Sequence, residues 1–209
     1  MFTPPVFLED HLPVLHDLMQ QARLVSLVTM GENGLEASQV PVVFAPSDGE
    51  FGTIHGHLSR GNAQWRTADV KVPALIMFNG PDAYISPSWY ATKVQTEKVV
   101  PTWNYQAVHA YGEIEFYDDA ARLLDLVSRL TEKHEERRAD PWAVSDAPAD
   151  FIAAQLKGIV GFSLPIARLD GKSKMSQNKS GEDRHGVIQG LKTEGAEQEA
   201  MVAKIMSDK

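Results

Sequence analysis

The order of apolar and polar residues predicts β-strands in the first half of the chain and helices placed around them. Strand-like runs are rich in β-branched residues, whereas helical segments repeat their apolar residues every three to four positions. Asn33-Gly34 joins two strand-like runs and is a strong signal for a β-hairpin. Strands are predicted over 24–30, 35–44, 50–57, 72–85 with a Gly-Pro interruption, 107–117 and 159–169. Helices are predicted over 10–22 and 62–69, after Asp118-Asp119, near 151–158, from 180 onward and in the final segment.

About six strands with short connections favour a mainly β fold of the α+β class, an antiparallel barrel with peripheral helices. A doubly wound nucleotide-binding fold fits poorly, because no Gly-x-Gly-x-x-Gly motif follows a strand and the chain has no P-loop. Nucleotide binding through either of those motifs is therefore not expected.

Composition narrows the classes of function. The 209 residues carry a net charge of −8, which is the opposite of the basic surface that binding to a nucleic-acid backbone needs. The chain has 0 cysteines, so disulfides, thiolate metal ligands and cysteine nucleophiles are excluded. No apolar run is long enough to cross a bilayer and the amino-terminal residues lack the features of a signal peptide, so we expect a cytoplasmic protein without membrane contact.

One glycine-punctuated turn carries the donors of a phosphate cradle. His57, Ser59, Arg60 and Asn62 follow a strand and precede a short helix, and an arginine can meet two phosphate oxygens at once. His55 and His57 share a strand face and could ligate a metal with a third residue. No acidic residue or further histidine lies nearby at ligand spacing, so no metal site is predicted.

Three further segments leave two interpretations open. The aromatic stretches 80–90 and 100–105 place rings beside Ser, Thr and Asn, as a flat heteroaromatic ligand with a polar edge requires; alternatively, these rings plug the end of a sheet. The basic segment 172–179 follows the last predicted strand, and its donors, Gln177 above all, could meet an anion or a ring edge. Its alternative is a solvated, lysine-rich turn.

Four separated motifs resemble those of the PaiB family, FMN-binding proteins often labelled negative transcriptional regulators. They are GHLSRGNAQW at 56–65, GPDAYISPSWY at 80–90, VPTWNY at 100–105 and KMSQN at 174–178. Ser59-Arg60-Gly61 departs from the Ala-Arg-Ala expected in relatives, and Ala63 stands where proline is usual. The likeness covers residues 1 to about 191, so we predict an FMN-binding domain over 1–191 and a C-terminal helical tail over 192–209.

The resemblance implies an FMN-binding split β-barrel of the pyridoxamine-phosphate-oxidase type, a homodimer with the flavin between protomers. It also implies site residues. Ser38, Gln39, His57, Ser59, Arg60 and Asn62 are expected on the phosphate and ribityl side, Trp65, Ser86, Trp89, Thr102, Trp103 and Asn104 at the ring or the dimer interface, and Lys174 and Gln177 closing the site.

Three functions are compatible with that resemblance. The chain could be a flavin-binding regulator, an FMN-dependent oxidoreductase using NAD(P)H and an unknown small substrate, or a flavin carrier or sensor without catalysis. The acidic balance and the lack of a helix-turn-helix pattern with a basic recognition helix weigh against direct DNA binding. No residue stands out as a proton donor, so catalysis stays open.

Overall fold

The structure is a computed structural model that describes residues 1–208. In this part of the chain it contains nine strands and seven helices. The strands are β1 (Val25–Gly31), β2 (Gly34–Val40), β3 (Val42–Ala45), β4 (Thr53–Ser59), β5 (Ala74–Ile85), β6 (Thr102–Gly112), β7 (Glu115–Tyr117), β8 (Ile159–Pro165) and β9 (Arg168–Lys174). The helices are α1 (Leu12–Gln21), α2 (Gln64–Thr67), α3 (Ala91–Thr96), α4 (Ala120–Glu135), α5 (Ala149–Leu156), α6 (Gly181–Glu194) and α7 (Glu197–Ser207).

The strands form one sheet in the order β2-β1-β5-β6-β9 and another in the order β3-β4-β8-β7. The pairs β1–β2, β1–β5, β3–β4, β4–β8 and β7–β8 are antiparallel. The predicted hairpin is present, because Gly31 pairs with Gly34 across a two-residue turn and Gly34 has a φ of +100°. The predicted α+β class with antiparallel strands and peripheral helices is confirmed, with the strands divided between two sheets.

The structure has more strands than the predicted six because three predicted strands are each divided. Pro41 separates β2 from β3, since proline has no N–H to donate to a ladder. Residues 113–114 separate β6 from β7, and residues 166–167 separate β8 from β9. By contrast, the Gly-Pro step at 80–81 does not interrupt β5, so the predicted interruption there is wrong.

Two elements differ from prediction near the aromatic and basic motifs. β6 begins at Thr102, so most of the second aromatic stretch is strand, and β9 runs to Lys174, so the basic segment begins on a strand. Helix α3 was not predicted. Among residues 1–208, no helix combines the length and apolar character that a membrane span requires.

The chain divides into two compact units, each made of separate segments. The first unit contains Met1–Leu15, Asn79–Val108 and the chain from Asp170 onward. The second unit contains His16–Phe78 and His109–Leu169. β5 and β6 each contribute residues to both units, so neither unit is a continuous stretch of sequence. The predicted boundary at residue 191 stays a prediction.

Helix α4 forms one layer of the second unit. Asp119 caps its first turn by accepting a hydrogen bond from the Arg122 N–H at 2.9 Å. Leu123, Leu126 and Leu130 recur at helical spacing and are buried. The helix packs on β3, β8 and α5, and Lys133 Nζ donates to the carbonyl of Val42 on β3 at 3.2 Å.

Helices α6 and α7 pack together within the first unit. Buried residues of both helices share one apolar cluster with the end of β5 and the residue after β9; they are Val187, Leu191, Val202, Ala203, Met206, Ala83, Ile85 and Met175, with Tyr90 beside them. The predicted tail is therefore helical, and its apolar face is buried. Residue 209 of that tail lies outside the described residues.

Trp89 lies against α6 where that helix carries two glycines. A Cβ atom built at Gly190 would overlap the Trp89 indole ring, and one built at Gly186 would overlap the Trp89 carbonyl oxygen. A Cβ atom at Gly181, in the first turn of the same helix, would meet nothing within 4 Å. Absence of a side chain at 186 and 190 therefore lets Trp89 approach the helix.

We predict that Gly190→Ala destabilises the protein by about 1–2 kcal/mol, because overpacking against the indole outweighs the gain in helix propensity. Gly181→Ala is the matched control and should stabilise by about 0.5 kcal/mol, since the new methyl group meets open space. Urea unfolding of both variants measures the effect. Equal gains in stability would contradict the close packing of Trp89 on α6.

Candidate functional site

The residues predicted from sequence fall into two sets, one in each unit. The second unit holds Ser38, Gln39, His57, Ser59, Arg60, Asn62 and Trp65. The first unit holds Ser86, Trp89, Thr102, Trp103, Asn104, Lys174 and Gln177. Each set is described by itself below.

In the second unit, Asn62 connects the β4–α2 turn to β2. Its Nδ2 donates to Ser38 Oγ at 2.8 Å, and its Oδ1 accepts from the Gln64 N–H at 2.9 Å. Gln64 is buried, and its Nε2 donates to the carbonyls of Leu27 and Glu36. The structure therefore brings Ser38 and Asn62 together and braces the turn that follows β4.

Arg60 is held at the junction where β8 begins. Its Nε donates to the Lys157 carbonyl at 2.8 Å and its Nη2 to the Ile159 carbonyl at 3.2 Å. Its Nη1 lies 3.4 Å from the exposed carboxylate of Asp118, and its own carbonyl accepts from Trp65 Nε1 at 3.2 Å. A phosphate bound here would compete with Asp118 for a guanidinium that is also part of the fold.

Arg60 and Asp118 lie at a groove of about 950 Å³ in the second unit. Its walls are mostly small or aliphatic side chains of α4, α5 and the segment between them, among them Ala121, Leu124 and Ile152. The volume lies within the range of ligand pockets. Of the residues predicted for the site, Arg60 lines this groove.

His55 and His57 lie on the same face of β4, as predicted. Burial lowers the pKa of both rings; for His55 the positive charge of Arg129 lowers it further and Asp48 opposes the shift. The Nδ1 atom of His57 is buried and has no hydrogen-bond partner among residues 1–208. Within that range the structure groups no three His, Asp or Glu side chains that could hold a metal ion.

Gln39 and Ser59 make local hydrogen bonds at the edge of this set. Gln39 Nε2 donates to Ser26 Oγ at 2.8 Å across the β1–β2 pair. Ser59 Oγ accepts from the Gly61 N–H at 3.3 Å. Both side chains are exposed, so each remains available for a further polar contact.

In the first unit, Asn104 holds the turn that follows β9. Asn104 is 0% exposed and exchanges hydrogen bonds with Ser176 Oγ at 3.0 and 3.1 Å. Ser176 has a φ of 58°, a left-handed conformation that is uncommon for a serine. Gln177 braces the same turn, because its carboxamide accepts from the Met175 N–H and donates to the Ser173 carbonyl. Both predicted residues therefore stabilise the turn that follows β9, Asn104 from β6 and Gln177 from within the turn.

Lys174, the last residue of β9, reaches across to β6. Its Nζ donates to Thr102 Oγ1 and to the Trp103 carbonyl. Burial lowers the pKa of Lys174, and the positive charges of Lys172 and Lys179 lower it further. Three predicted residues, Lys174, Thr102 and Trp103, are therefore in contact.

A cavity of about 190 Å³ lies beside Lys174. It is lined by Tyr90, Val100, Pro101, Thr102, Asn104, Lys174, Ser176, Asn178 and Lys179. Thr102, Asn104 and Lys174 were predicted as site residues, whereas the other six were not. The lysine-rich segment signalled Lys179, but no sequence signal shows that the Tyr90 ring is buried against it. We call this space the lysine cavity.

The remaining predicted residues of the first unit lie near the ends of β5 and β6. Trp103 is 53% exposed and meets Tyr84 edge to face, with ring centroids 5.8 Å apart. Ser86 caps a short 3₁₀ helix at 87–89, where it accepts from the Ser88 N–H at 3.2 Å. An exposed aromatic pair of this kind can cover a flat ligand or pack against another chain.

The donor chemistry of each set, taken by itself, fits part of FMN. In the second unit, Arg60 supplies positive charge for a phosphate, and Ser38, Asn62 and Gln39 supply hydrogen bonds of the kind a ribityl chain accepts. In the first unit, Lys174 supplies charge and Trp103 offers an exposed ring. Two buried polar atoms, His57 Nδ1 in the second unit and the Tyr90 hydroxyl in the first, have no hydrogen-bond partner among residues 1–208.

Comparison with known proteins agrees with this chemistry. Residues 1–168 match the family model described as "Putative FMN-binding domain". The "Protease synthase and sporulation protein PAI 2" of Bacillus subtilis is 33% identical over 209 residues, which is 100% of this chain and 98% of that protein.

Solved structures show a similar fold at low identity. The conserved hypothetical protein Rv2991 of Mycobacterium tuberculosis superposes with a TM-score of 0.59 at 12% identity, covering 86% of this chain and 94% of that one. The FAD- and heme-binding protein of Mycobacterium smegmatis superposes with a TM-score of 0.54 at 16% identity, covering 83% and 76%.

We predict that His57 makes the protein less stable in mild acid. Burial lowers the pKa of His57 below the usual 6.5 in the folded protein. The unfolded chain therefore binds a proton at a higher pH than the folded chain does, so the free energy of unfolding falls as the pH drops from about 7.5 to 5.5. Urea unfolding at both pH values should show a smaller loss for His57→Gln. His185→Gln, at an exposed position of α6, is the control and should keep the parent's loss. An unchanged loss in His57→Gln would contradict the prediction.

Proposed function

This chain belongs to the FMN-binding family of PaiB type, and on that premise we propose that it binds FMN and acts as a flavin-dependent sensor. The observation that carries this proposal is the paired donor set around Asn62, Ser38 and Arg60 at the β4–α2 turn, in a chain whose family model describes FMN binding. Bound FMN would supply redox chemistry, while the protein supplies placement and hydrogen bonds.

The residues of the second unit would hold the phosphate and ribityl part. Arg60 provides the charge, and Asn62 and Ser38 keep the turn in place through their 2.8 Å hydrogen bond. In the first unit, taken by itself, the exposed ring of Trp103 is suited to pack on a flat ligand or on a second chain, and Lys174 holds β6 through Thr102.

An oxidoreductase is the second candidate function. The lysine cavity favours it, because about 190 Å³ is below the usual range for whole ligands but has room for one charged group of a small substrate. Direct reading of DNA has less support. Acidic side chains outnumber basic ones in both α6 and α7, and α7 buries its apolar face in the core of the first unit.

We further propose that the working form is a homodimer with the flavin at its interface. The support is the family resemblance together with exposed apolar residues near the ends of β5 and β6, where Tyr84, Val100 and Trp103 are 46%, 69% and 53% exposed. Apolar side chains clustered on a surface often mark an interface.

The spectrum of the purified protein tests flavin binding directly. We predict a yellow protein, or a colourless one that takes up FMN with a stoichiometric change in its visible spectrum. Arg60→Ala should weaken the binding of FMN by about tenfold or more and the binding of riboflavin much less, because riboflavin lacks the phosphate. Arg129→Ala, which removes a charge on α4, is the control. Equal losses of affinity for both flavins would show that Arg60 does not bind the phosphate.

Two assays separate the candidate activities. Steady oxidation of NADH or NADPH by the flavin-loaded protein would establish the oxidoreductase. A salt-sensitive gel shift would establish DNA binding, since phosphate contacts weaken as salt rises. We expect flavin binding without a gel shift.

The dimer has its own test. Light scattering should give a mass near twice 23.1 kDa, and Trp103→Ala should shift the equilibrium toward monomer. Val94→Ala, at a position 91% exposed in the same unit, is the control. A monomeric parent at micromolar concentration in the presence of FMN would refute the proposed homodimer.

A further inference from the structure

We propose that the lysine cavity is a binding subsite for a single oxyanion, a phosphate or carboxylate group held by Lys174, Lys179 and the Tyr90 hydroxyl. The subsite lies within the first unit and needs no residue of the second. The expected source is a small molecule separate from FMN, because the proposed function assigns the FMN phosphate to Arg60; the phosphate of FMN shares the same chemistry and is the alternative that the flavin titrations below distinguish.

The first argument is charge. Lys174 and Lys179 both line the cavity, and Lys172 and Lys179 are the charges that act on Lys174. Lys174 Nζ donates to two neutral oxygens, and Lys179 Nζ lies 4.7 Å from the centroid of the Tyr90 ring. An oxyanion between the two ammonium groups would relieve their repulsion.

The second argument is an unsatisfied donor. Tyr90 is 2% exposed, and its hydroxyl makes no hydrogen bond among residues 1–208. Leaving a buried hydroxyl unpaired costs free energy, and such a group in a native structure usually has a purpose. Because Tyr90 lines the same cavity as the lysines, we infer that an oxyanion bound there accepts a hydrogen bond from the Tyr90 hydroxyl.

The third argument is that the carboxylate that acts on Tyr90 and Lys179 is already engaged elsewhere. Asp183 influences Tyr90 and Lys179 electrostatically. Its carboxylate accepts from the Thr92 N–H at 2.9 Å and from Thr92 Oγ1 at 2.8 Å, so its oxygens are directed to α3. Neutral polar residues complete the lining: Asn104 and Ser176, whose side chains hydrogen-bond to each other, and Asn178.

Inorganic phosphate tests the subsite on the full, flavin-free chain, with ionic strength held constant by chloride. We expect saturable binding in a phosphorus NMR titration and a rise in melting temperature. Lys179→Ala should weaken the binding of phosphate by about tenfold. Lys192→Ala, which removes the same charge from an exposed position of α6, should not weaken it.

Tyr90→Phe separates binding from folding. This substitution should weaken the binding of phosphate by about three- to tenfold. The melting temperature of the phosphate-free protein should stay unchanged or rise, because the substitution removes a buried unpaired hydroxyl. Equal losses in Lys179→Ala and Lys192→Ala, no saturable binding, or full affinity in Tyr90→Phe would each overturn the proposal.

Flavin titrations of the same variants identify the source of the oxyanion. If the group is the phosphate of FMN, inorganic phosphate competes with FMN, and Lys179→Ala weakens FMN but not riboflavin. If a separate molecule carries it, phosphate and FMN bind together. Both results support the subsite. A protein that binds phosphate but no flavin would refute the proposed function and leave the subsite standing.

Discussion

Asn104 is fully buried in the first unit, and the hydrogen bonds of its carboxamide decide how the chain leaves β9. A buried amide must be paired, and Ser176 supplies both a donor and an acceptor. In the structure this pairing occurs with Ser176 in a left-handed conformation. The turn then places Lys174 at the end of the strand, Lys179 on the cavity, and α6 against Trp89.

The second unit uses one cation in a comparable way. Arg60 satisfies the carbonyls of Lys157 and Ile159 where α5 gives way to β8, and it also faces Asp118. Its charge is therefore placed by contacts that belong to the fold. A guanidinium whose position is set by backbone carbonyls loses little conformational freedom when it binds a phosphate, which favours recognition by preorganisation.

Local signals in the sequence predicted much of this fold. The hairpin signal at Asn33-Gly34 and the helix start after Asp118-Asp119 both act over a few residues, and both elements are present, although the two residues of the turn itself are Glu32 and Asn33. Boundaries were less predictable. The basic composition around Lys172 and Lys174 predicted a turn after residue 169. In the structure β9 continues to Lys174, because pairing with the neighbouring strand outweighs the local polar pattern.

The sequence by itself determined the family and the α+β class, because motifs and periodicity depend on neighbours along the chain. Only the tertiary structure decided what those residues do. Gln177 braces its own turn, Arg60 holds backbone carbonyls, and Tyr90 is buried beside Lys179 without a partner for its hydroxyl among residues 1–208. Burial and hydrogen-bond satisfaction depend on segments far apart in sequence, so no local pattern records them.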